Sequence, residues 1–407
     1  MTEISADLSP PAALLRDLIR CPSVTPAEGG ALGVLASRLQ GLGFTVHRMV
    51  FSDEGTPDVE NLYARLGKEA PHLCFAGHTD VVPPGDENAW NAGPFEGRVH
   101  DGMMYGRGAV DMKGGIACFL SAVESLLAEG PLPGSISLLI TGDEEGPAIN
   151  GTDKLLQWVA ERGDTIDACI LGEPTNPNAL GDAIKIGRRG SVSGKVTVKG
   201  TQGHAAYPHL ADNPVPRLMR LMDALLTEPL DEGTDAFQPT NLEVTSIDVG
   251  NPSVNVIPAS ASAHFNVRFN DTWSADSLMS ELVRRLDEGA KVPPHRGSNQ
   301  PTTYEIEWRD RPSHVFRTQN DALIDAVRGS VEAVTGRVPE ISTGGGTSDA
   351  RYIKDYAPVV EFGLVGQTMH QVDERVALAD LDALTAIYQR MISDWFAGQT
   401  ASDGGHG

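Results

Sequence analysis

Five places in the sequence carry side chains able to hold a metal ion, and each sits at the end of an apolar, strand-like run. They are His78-Thr79-Asp80, Asp111 within Gly106-Arg107-Gly108-Ala109-Val110-Asp111-Met112-Lys113-Gly114-Gly115, Asp143-Glu144-Glu145-Gly146, Gly172-Glu173-Pro174 and Thr368-Met369-His370. Histidine, aspartate and glutamate are nitrogen and oxygen ligands that zinc accepts, and the ends of strands in an α/β sheet are where ligands bind. The convergence of five such groups predicts a two-metal centre. The spacing is that of a catalytic site assembled by a fold: about thirty residues separate His78, Asp111, Glu145 and Glu173 in turn, and nearly two hundred precede His370. A structural zinc site would instead use closely spaced Cys and His. Two metals ~3.5–4 Å apart need one rigidly held bridging carboxylate, and Asp111 in its glycine-flanked loop suits that need. Glu144 and Glu145 point in different directions if they follow a strand end, so one can bind metal while its neighbour handles a proton. Asp80, two residues from His78, can accept the second ring N–H and fix the tautomer of the ligand.

The elements that must position these groups follow from apolar periodicity. Ser9-Pro10-Pro11 opens a helix with Leu14, Leu15, Leu18 and Ile19 on one face, and a second helix carries Leu32, Leu35, Leu39 and Leu42. Strands are predicted at Thr45–Phe51, Asn61–Leu66, Leu73–Ala76, Ser135–Thr141, Ala168–Leu171 and Val359–Phe362. The near-continuous apolar character of Ser135–Thr141 and Ala168–Leu171 is that of buried parallel strands. Helices are expected after Asp111, through Ile116 to Leu127, and around Leu155–Ala160. A further helix bears Leu323, Ile324, Val327, Val331 and Val334, and a last one runs through Leu378, Leu381, Leu384, Tyr388 and Trp395. This pattern predicts a doubly wound α/β catalytic domain with a mixed sheet, made of residues 1–189 and 304–407. From about Ser191 the texture changes to alternating strands at Ser191–Lys199, Asn241–Val249 and Ala261–Asn270 with helices at Pro214–Leu226 and Ser274–Leu286. Residues 190–303 therefore read as an inserted α+β domain. Val292–Pro301 is the expected return linker, Tyr304–Trp308 the re-entry into the first domain, and Ala397–Gly407 a disordered tail.

At 407 residues the chain exceeds one compact core. No apolar run approaches the ~20 residues needed to span a bilayer, and Met1–Asp7 lacks the features of a signal peptide, which predicts a cytoplasmic location. The four cysteines are scattered singly and read as reduced core residues. Lys+Arg 32 against Asp+Glu 55 gives a formal charge of −23, which repels nucleic acid. The same field repels a carboxylate substrate, so such a substrate needs local arginines, for which Arg188-Arg189, Arg268 and Arg351 are candidates. Gly344–Gly346 lacks the GxxxxGK[ST] pattern of a phosphate cradle.

The runs His78-Thr79-Asp80-Val81-Val82-Pro83-Pro84-Gly85, Gly106-Arg107-Gly108-x-x-Asp111-Met112-Lys113-Gly114 and Asp143-Glu144-Glu145-Gly146 resemble those of the dizinc metallopeptidase and amidohydrolase family that includes carboxypeptidases, aminoacylases and deacetylases. A second set is closest to its desuccinylase branch. It comprises Arg188-Arg189-Gly190-Ser191, Gly203-His204-Ala205-Ala206-Tyr207-Pro208-His209, Asn255-Val256-Ile257-Pro258, Phe265-Asn266-Val267-Arg268-Phe269 and Gly345-Gly346-Thr347-Ser348-Asp349.

The resemblance, which runs through nearly the whole chain, implies two Zn2+ per chain, with Co2+ able to substitute. His78 and Glu173 would hold one ion and Glu145 and His370 the other, with Asp111 bridging them and Glu144 as the general base. It further implies a homodimer formed through the inserted, ferredoxin-like domain, in which His204 stabilises the oxyanion in the partner's site. Substrate contacts fall to Arg188, Ser191, Tyr207, Asn255, Arg268, Gly345 and Thr347, and the peptide after Asp111 is expected to be cis. The implied reaction is hydrolysis of N-succinyl-LL-2,6-diaminopimelate to succinate and LL-2,6-diaminopimelate, with deacetylase, aminoacylase or carboxypeptidase activity of the same family as the alternative. One departure is Gly366, where some desuccinylases carry an asparagine that contacts substrate. A metal-free binding or assembly protein on the same fold is a third reading, which the intact ligand set and Glu144 argue against.

Overall fold

Strands whose residues are apolar on both faces can only be stable at the centre of a sheet covered on both sides, and in the computed structural model of the chain they lie there. The structure describes residues 8–292, 302–309 and 312–403, with side chains as far as 399. His72–His78, Ser135–Thr141 and Ala168–Leu171 are buried along their whole lengths. They form the middle of an eight-stranded sheet in the order Thr45–Phe51, Val59–Leu66, Ser135–Thr141, His72–His78, Ala168–Leu171, Val359–Glu361, Ala183–Lys185, Glu340–Ser342. The four strands from Ser135–Thr141 to Val359–Glu361 run parallel, and antiparallel pairs flank them, so the sheet is mixed as expected. Phe75 stacks on Phe119 of helix Lys113–Glu129 at 4.3 Å, and Tyr388 of helix Leu378–Asp403 meets both rings edge-on. Gly115 allows that first helix to approach closely, since a methyl group there would lie 2.6 Å from the carbonyl oxygen of Gly172.

The chain divides into two compact units, one of residues 1–186, 318–342 and 348–407, the other of 187–317 and 343–347. In the second unit, strand Gly190–Lys199, helix Pro214–Leu226, strands Asn241–Asp248 and Ser260–Phe269, helix Ala275–Lys291 and strand Glu305–Trp308 follow one another. This is the β-α-β-β-α-β order of a ferredoxin-like fold. The sheet is antiparallel, in the order Asn241–Asp248, Ser260–Phe269, Gly190–Lys199, Glu305–Trp308. Val192, Val196, Val198, Phe265, Val267 and Phe269 face the helices and pack against Leu218, Leu221, Leu282 and Leu286.

Two expectations are corrected here. Glu305–Trp308 does not re-enter the first unit: Ile306 and Trp308 pack on the core of the second, where the strand pairs with Gly190–Lys199. Residues 397–403 continue the last helix, while 404–407 lie outside the described residues. Of the proposed linker only Val292 is described, the rest lying outside. Among the described residues no helix is long and apolar enough to cross a membrane.

Candidate metal centre

Because His72–His78, Ser135–Thr141, Ala168–Leu171 and Val359–Glu361 are parallel neighbours, the loops that leave their carboxyl ends emerge along one edge of the sheet. Those loops carry His78, Glu144 and Glu145, Glu173, and His370. Asp111 reaches the same place from the loop before helix Lys113–Glu129, where Gly108 takes a left-handed φ of 80° and the Asp111–Met112 peptide is cis, as the resemblance implied. All six side chains belong to the first unit.

Asp111 presents one carboxylate oxygen to each histidine. Its Oδ1 lies 3.2 Å from His78 Nε2, and its Oδ2 lies 3.2 Å from His370 Nε2. Glu173 Oε1 is 3.8 Å from His78 Nε2, and Glu145 Oε1 is 2.8 Å from His370 Nε2. Ligand atoms of His78, Glu144 and Glu173 lie within 4.8 Å of one another, as do those of His78, Asp111 and Glu145. The second ring nitrogen of His78 decides what this cluster wants. Nδ1–H donates to the backbone carbonyl of Asp80 at 2.9 Å, a partner that can only accept. In the neutral ring Nε2 then aims a lone pair at carboxylate oxygens, an arrangement that repels unless a proton or cation sits between.

The electrostatics agree. Burial opposes charge on His78, yet its hydrogen bond to Asp111 and the carboxylates of Glu173 and Glu144 hold its pKa well above the ordinary value. Hydrogen bonds to Asp111 and Glu145 push His370 up to about 10. Burial pushes the carboxyl of Asp111 up, but hydrogen bonds from His370 and His78 outweigh it and hold the group well below the usual range. Glu144 is raised well above the ordinary carboxylate value by burial and by the charge of Glu173. So dense a set of carboxylates, with two imidazoles and no fixed cation among them, fits divalent ions.

The expected role of Asp80 changes in detail. Its carboxylate Oδ1 lies 3.6 Å from His78 Nδ1, and the carboxylate instead accepts the backbone N–H groups of Glu144 at 3.3 Å and Glu145 at 3.0 Å. The carbonyl orients the imidazole while the carboxylate holds the turn that carries both glutamates. Gly146 closes that turn, where a methyl group would meet Asp143 Oδ1 at 2.5 Å and Thr25 Oγ1 at 2.7 Å.

In the second unit the remaining predicted residues form three sets. His204 lies on the short strand Gly203–His204, paired with Val256–Ile257, and its Nδ1 accepts the Ala206 N–H at 3.0 Å. Its ring is 5.5 Å from that of Tyr207, and the carbonyl of Asn255 accepts the Ala205 N–H. Arg188 is buried and donates to the carbonyl of Gly346 at 2.8 Å, beside Gly345 and Thr347. Ser191 and Arg268 are register partners on adjacent strands. Burial lowers the pKa of Arg268, and the neighbouring charge of Arg189 lowers it further.

Sequence reasoning assigned no role to Asp349, Arg107 or Glu374. Asp349 is buried, accepts from Thr152 Oγ1 at 2.6 Å and raises the pKa of Glu144 by its charge. A signal for Arg107 was present, because a cation between two glycines at a strand end has a reason to be there. Glu374, four residues beyond His370, gave none.

A parallel-centred sheet with metal-ligating groups at its carboxyl edge, and a ferredoxin-like unit inserted in the chain, defines a class of metal-dependent hydrolase. The chain belongs to peptidase family M20/M25/M40, whose sequence profile matches residues 74–394. It is similar in fold to a metallo-carboxypeptidase of that family from Sulfolobus solfataricus, with a TM-score of 0.75 and 18% identity over 96% of this chain and 100% of that one. A tripeptidase from Staphylococcus aureus gives 0.75 and 18% over 95% and 98%. Human carnosine dipeptidase 1 gives 0.73 and 19% over 95% and 96%. At these identities the likeness is one of fold.

Proposed function

We propose that this chain is a dizinc amidohydrolase that cleaves N-succinyl-LL-2,6-diaminopimelate with water, releasing succinate and LL-2,6-diaminopimelate for lysine and cell-wall precursor synthesis. The observation that carries the hydrolase part is Asp111 facing two different histidines, each with its own further carboxylate. Two zinc ions held by His78 with Glu173 and by His370 with Glu145, bridged by Asp111, would polarise the amide carbonyl and bring the pKa of water toward neutrality. Glu144 takes a proton from the attacking water and gives it to the leaving amine as the amide C–N bond breaks. His204 of a second chain donates a hydrogen bond to the oxyanion.

The acyl choice rests on the second set of motifs and on charge. A net charge of −23 repels a substrate bearing several carboxylates, so its binding requires local guanidinium groups. Arg188, close to Gly345 and Thr347, and Arg268, opposite Ser191, meet that need, with Tyr207 and Asn255 completing the contacts. Exposed Tyr207, Leu210 and Val254 around His204 support a homodimer built on this unit. A cytoplasmic location follows from the reaction proposed.

The test is metal analysis of the purified protein together with succinate release, set against N-acetylornithine, an N-acyl amino acid and dipeptides. Two zinc ions per chain and a strong preference for the succinyl substrate are expected. A preference for acetyl substrates or peptides, as the carboxypeptidase and tripeptidase folds allow, would move the chain to another branch of the family and leave the metal chemistry standing.

A further inference from the structure

The loop bearing His370 is held in an unusual shape. His370 and Asp373 both take left-handed φ, 61° and 56°, without being glycine, a conformation that persists only when its surroundings over-determine it. The restraint comes from the Asp111 loop. Arg107 is buried there and donates to Glu374 Oε2 at 2.7 Å, to the carbonyls of Gln371 and His370 at 3.2 and 3.3 Å, and to that of Pro83 at 3.4 Å. Its guanidinium lies 5.3 Å from the ring of Trp90. Glu374, fully buried, uses its other oxygen to accept the N–H groups of Val110 at 2.9 Å and Asp111 at 3.3 Å. Each member of the pair therefore grips the other's loop. Above them His370 and Asp111 meet side chain to side chain.

We propose that Arg107 and Glu374 are positioning residues that set the distance between the Asp111 and His370 loops, and so govern how tightly the cation on the His370–Glu145 side is held. The inference rests on the two-cation reading above. Neither residue touches the cation or substrate. Their effect is on ligand placement, and it falls mainly on the His370–Glu145 position, because Arg107 reaches the His370 loop at three points, Glu374 and the carbonyls of His370 and Gln371, against one, the carbonyl of Pro83, in the loop after His78.

Metal-free full-length protein titrated with Co2+, followed by calorimetry and visible absorption, tests this. The wild type is expected to bind in two steps. Arg107→Lys keeps a charge beside Glu374 but cannot serve several acceptors in a planar fork. It should remain folded and take the first Co2+ unchanged, while the second binds ~10–100-fold more weakly with an altered absorption band. The double variant Arg107→Gln with Glu374→Gln, which removes both buried charges and keeps an acceptor for Val110, should behave alike. An unchanged second step in a folded variant overturns the proposal. Equal weakening of both steps, or loss of the fold in both variants, also overturns it by making the pair structural only. Fewer than two steps in the wild type would instead refute the two-cation reading itself.

Discussion

Glu144 and Glu145 are neighbours in sequence with different surroundings. Glu145 lies 2.8 Å from His370, whereas Glu144 is half-buried near Glu173 and Asp349, with its pKa raised. If Glu144 moves a proton and Glu145 holds a cation, Glu144→Gln should bind two metal ions as the wild type does yet lose turnover by ~10²–10⁴, the range for a lost general acid–base group. Metal content measured beside succinate release checks this, and loss of an ion would reassign Glu144 as a ligand. The cluster was legible because most of its members follow apolar strands whose common direction brings their ends together, while Asp111 arrives from the loop before helix Lys113–Glu129. What the residues did not disclose is how each would use its atoms. His-x-Asp spacing suggests a carboxylate on the imidazole, but the carboxylate of Asp80 is taken by two backbone N–H groups from a turn 64 and 65 residues away. Glu374 was invisible for the same reason, since its partners are Arg107 and the backbone of Val110 and Asp111, more than 260 residues back.

Among the elements, runs with a clear apolar signal, periodic or continuous, were found nearly residue for residue, as at Thr45–Phe51, Ser135–Thr141, Ala168–Leu171 and Pro214–Leu226. Three-residue strands such as Ala183–Lys185 and Glu340–Ser342 were not, because they carry too few side chains for a period to register. Glu305–Trp308 has the alternation of a strand, but alternation does not name the sheet it joins. One connection offers a test of its own. Between helix Pro214–Leu226 and strand Asn241–Asp248, Asp231 accepts the N–H groups of Gly233 and Thr240, the Asn270 amide and the Trp273 indole N–H. Burial raises its pKa, but these hydrogen bonds, with that of the Thr240 hydroxyl, prevail and bring it to about 2. A folded pKa below the unfolded ~3.9 means the stabilisation is present above that value and is lost as pH falls toward 2. Asp231→Asn should therefore lower the urea midpoint at pH 7, and the gap to wild type should shrink between pH 4 and pH 2. A gap that stays constant with pH would mean that the charge on Asp231 contributes nothing.

On the scale of the whole molecule, the candidate metal centre lies within the first unit while His204 lies exposed in the second, which also leaves Tyr207, Leu210 and Val254 uncovered. Solitary exposed apolar side chains are ordinary, but several around one histidine suit a surface that a second chain covers. Strand Asn241–Asp248 is one edge of its sheet, with Ile247 exposed, a further place where another chain can pair. If His204 completes the partner's oxyanion site, His204→Ala should keep its metal and its dimer but lose ~10²–10³ in kcat. Mixing makes the test sharper. In a heterodimer of one His204→Ala chain and one Glu144→Gln chain, the first chain's site has an intact Glu144 and receives the second chain's intact His204, whereas the other site lacks both. Two nearly inactive parents should together regain up to about half of the wild-type rate per heterodimer if the sites act independently. A variant merely weakened in folding would show no such recovery, because mixing does not repair a chain. Should subunit exchange be demonstrated by mass-tagged chains and no activity return, His204 acts within its own chain or not at all. The single chain would then have to contain every group that the reaction needs.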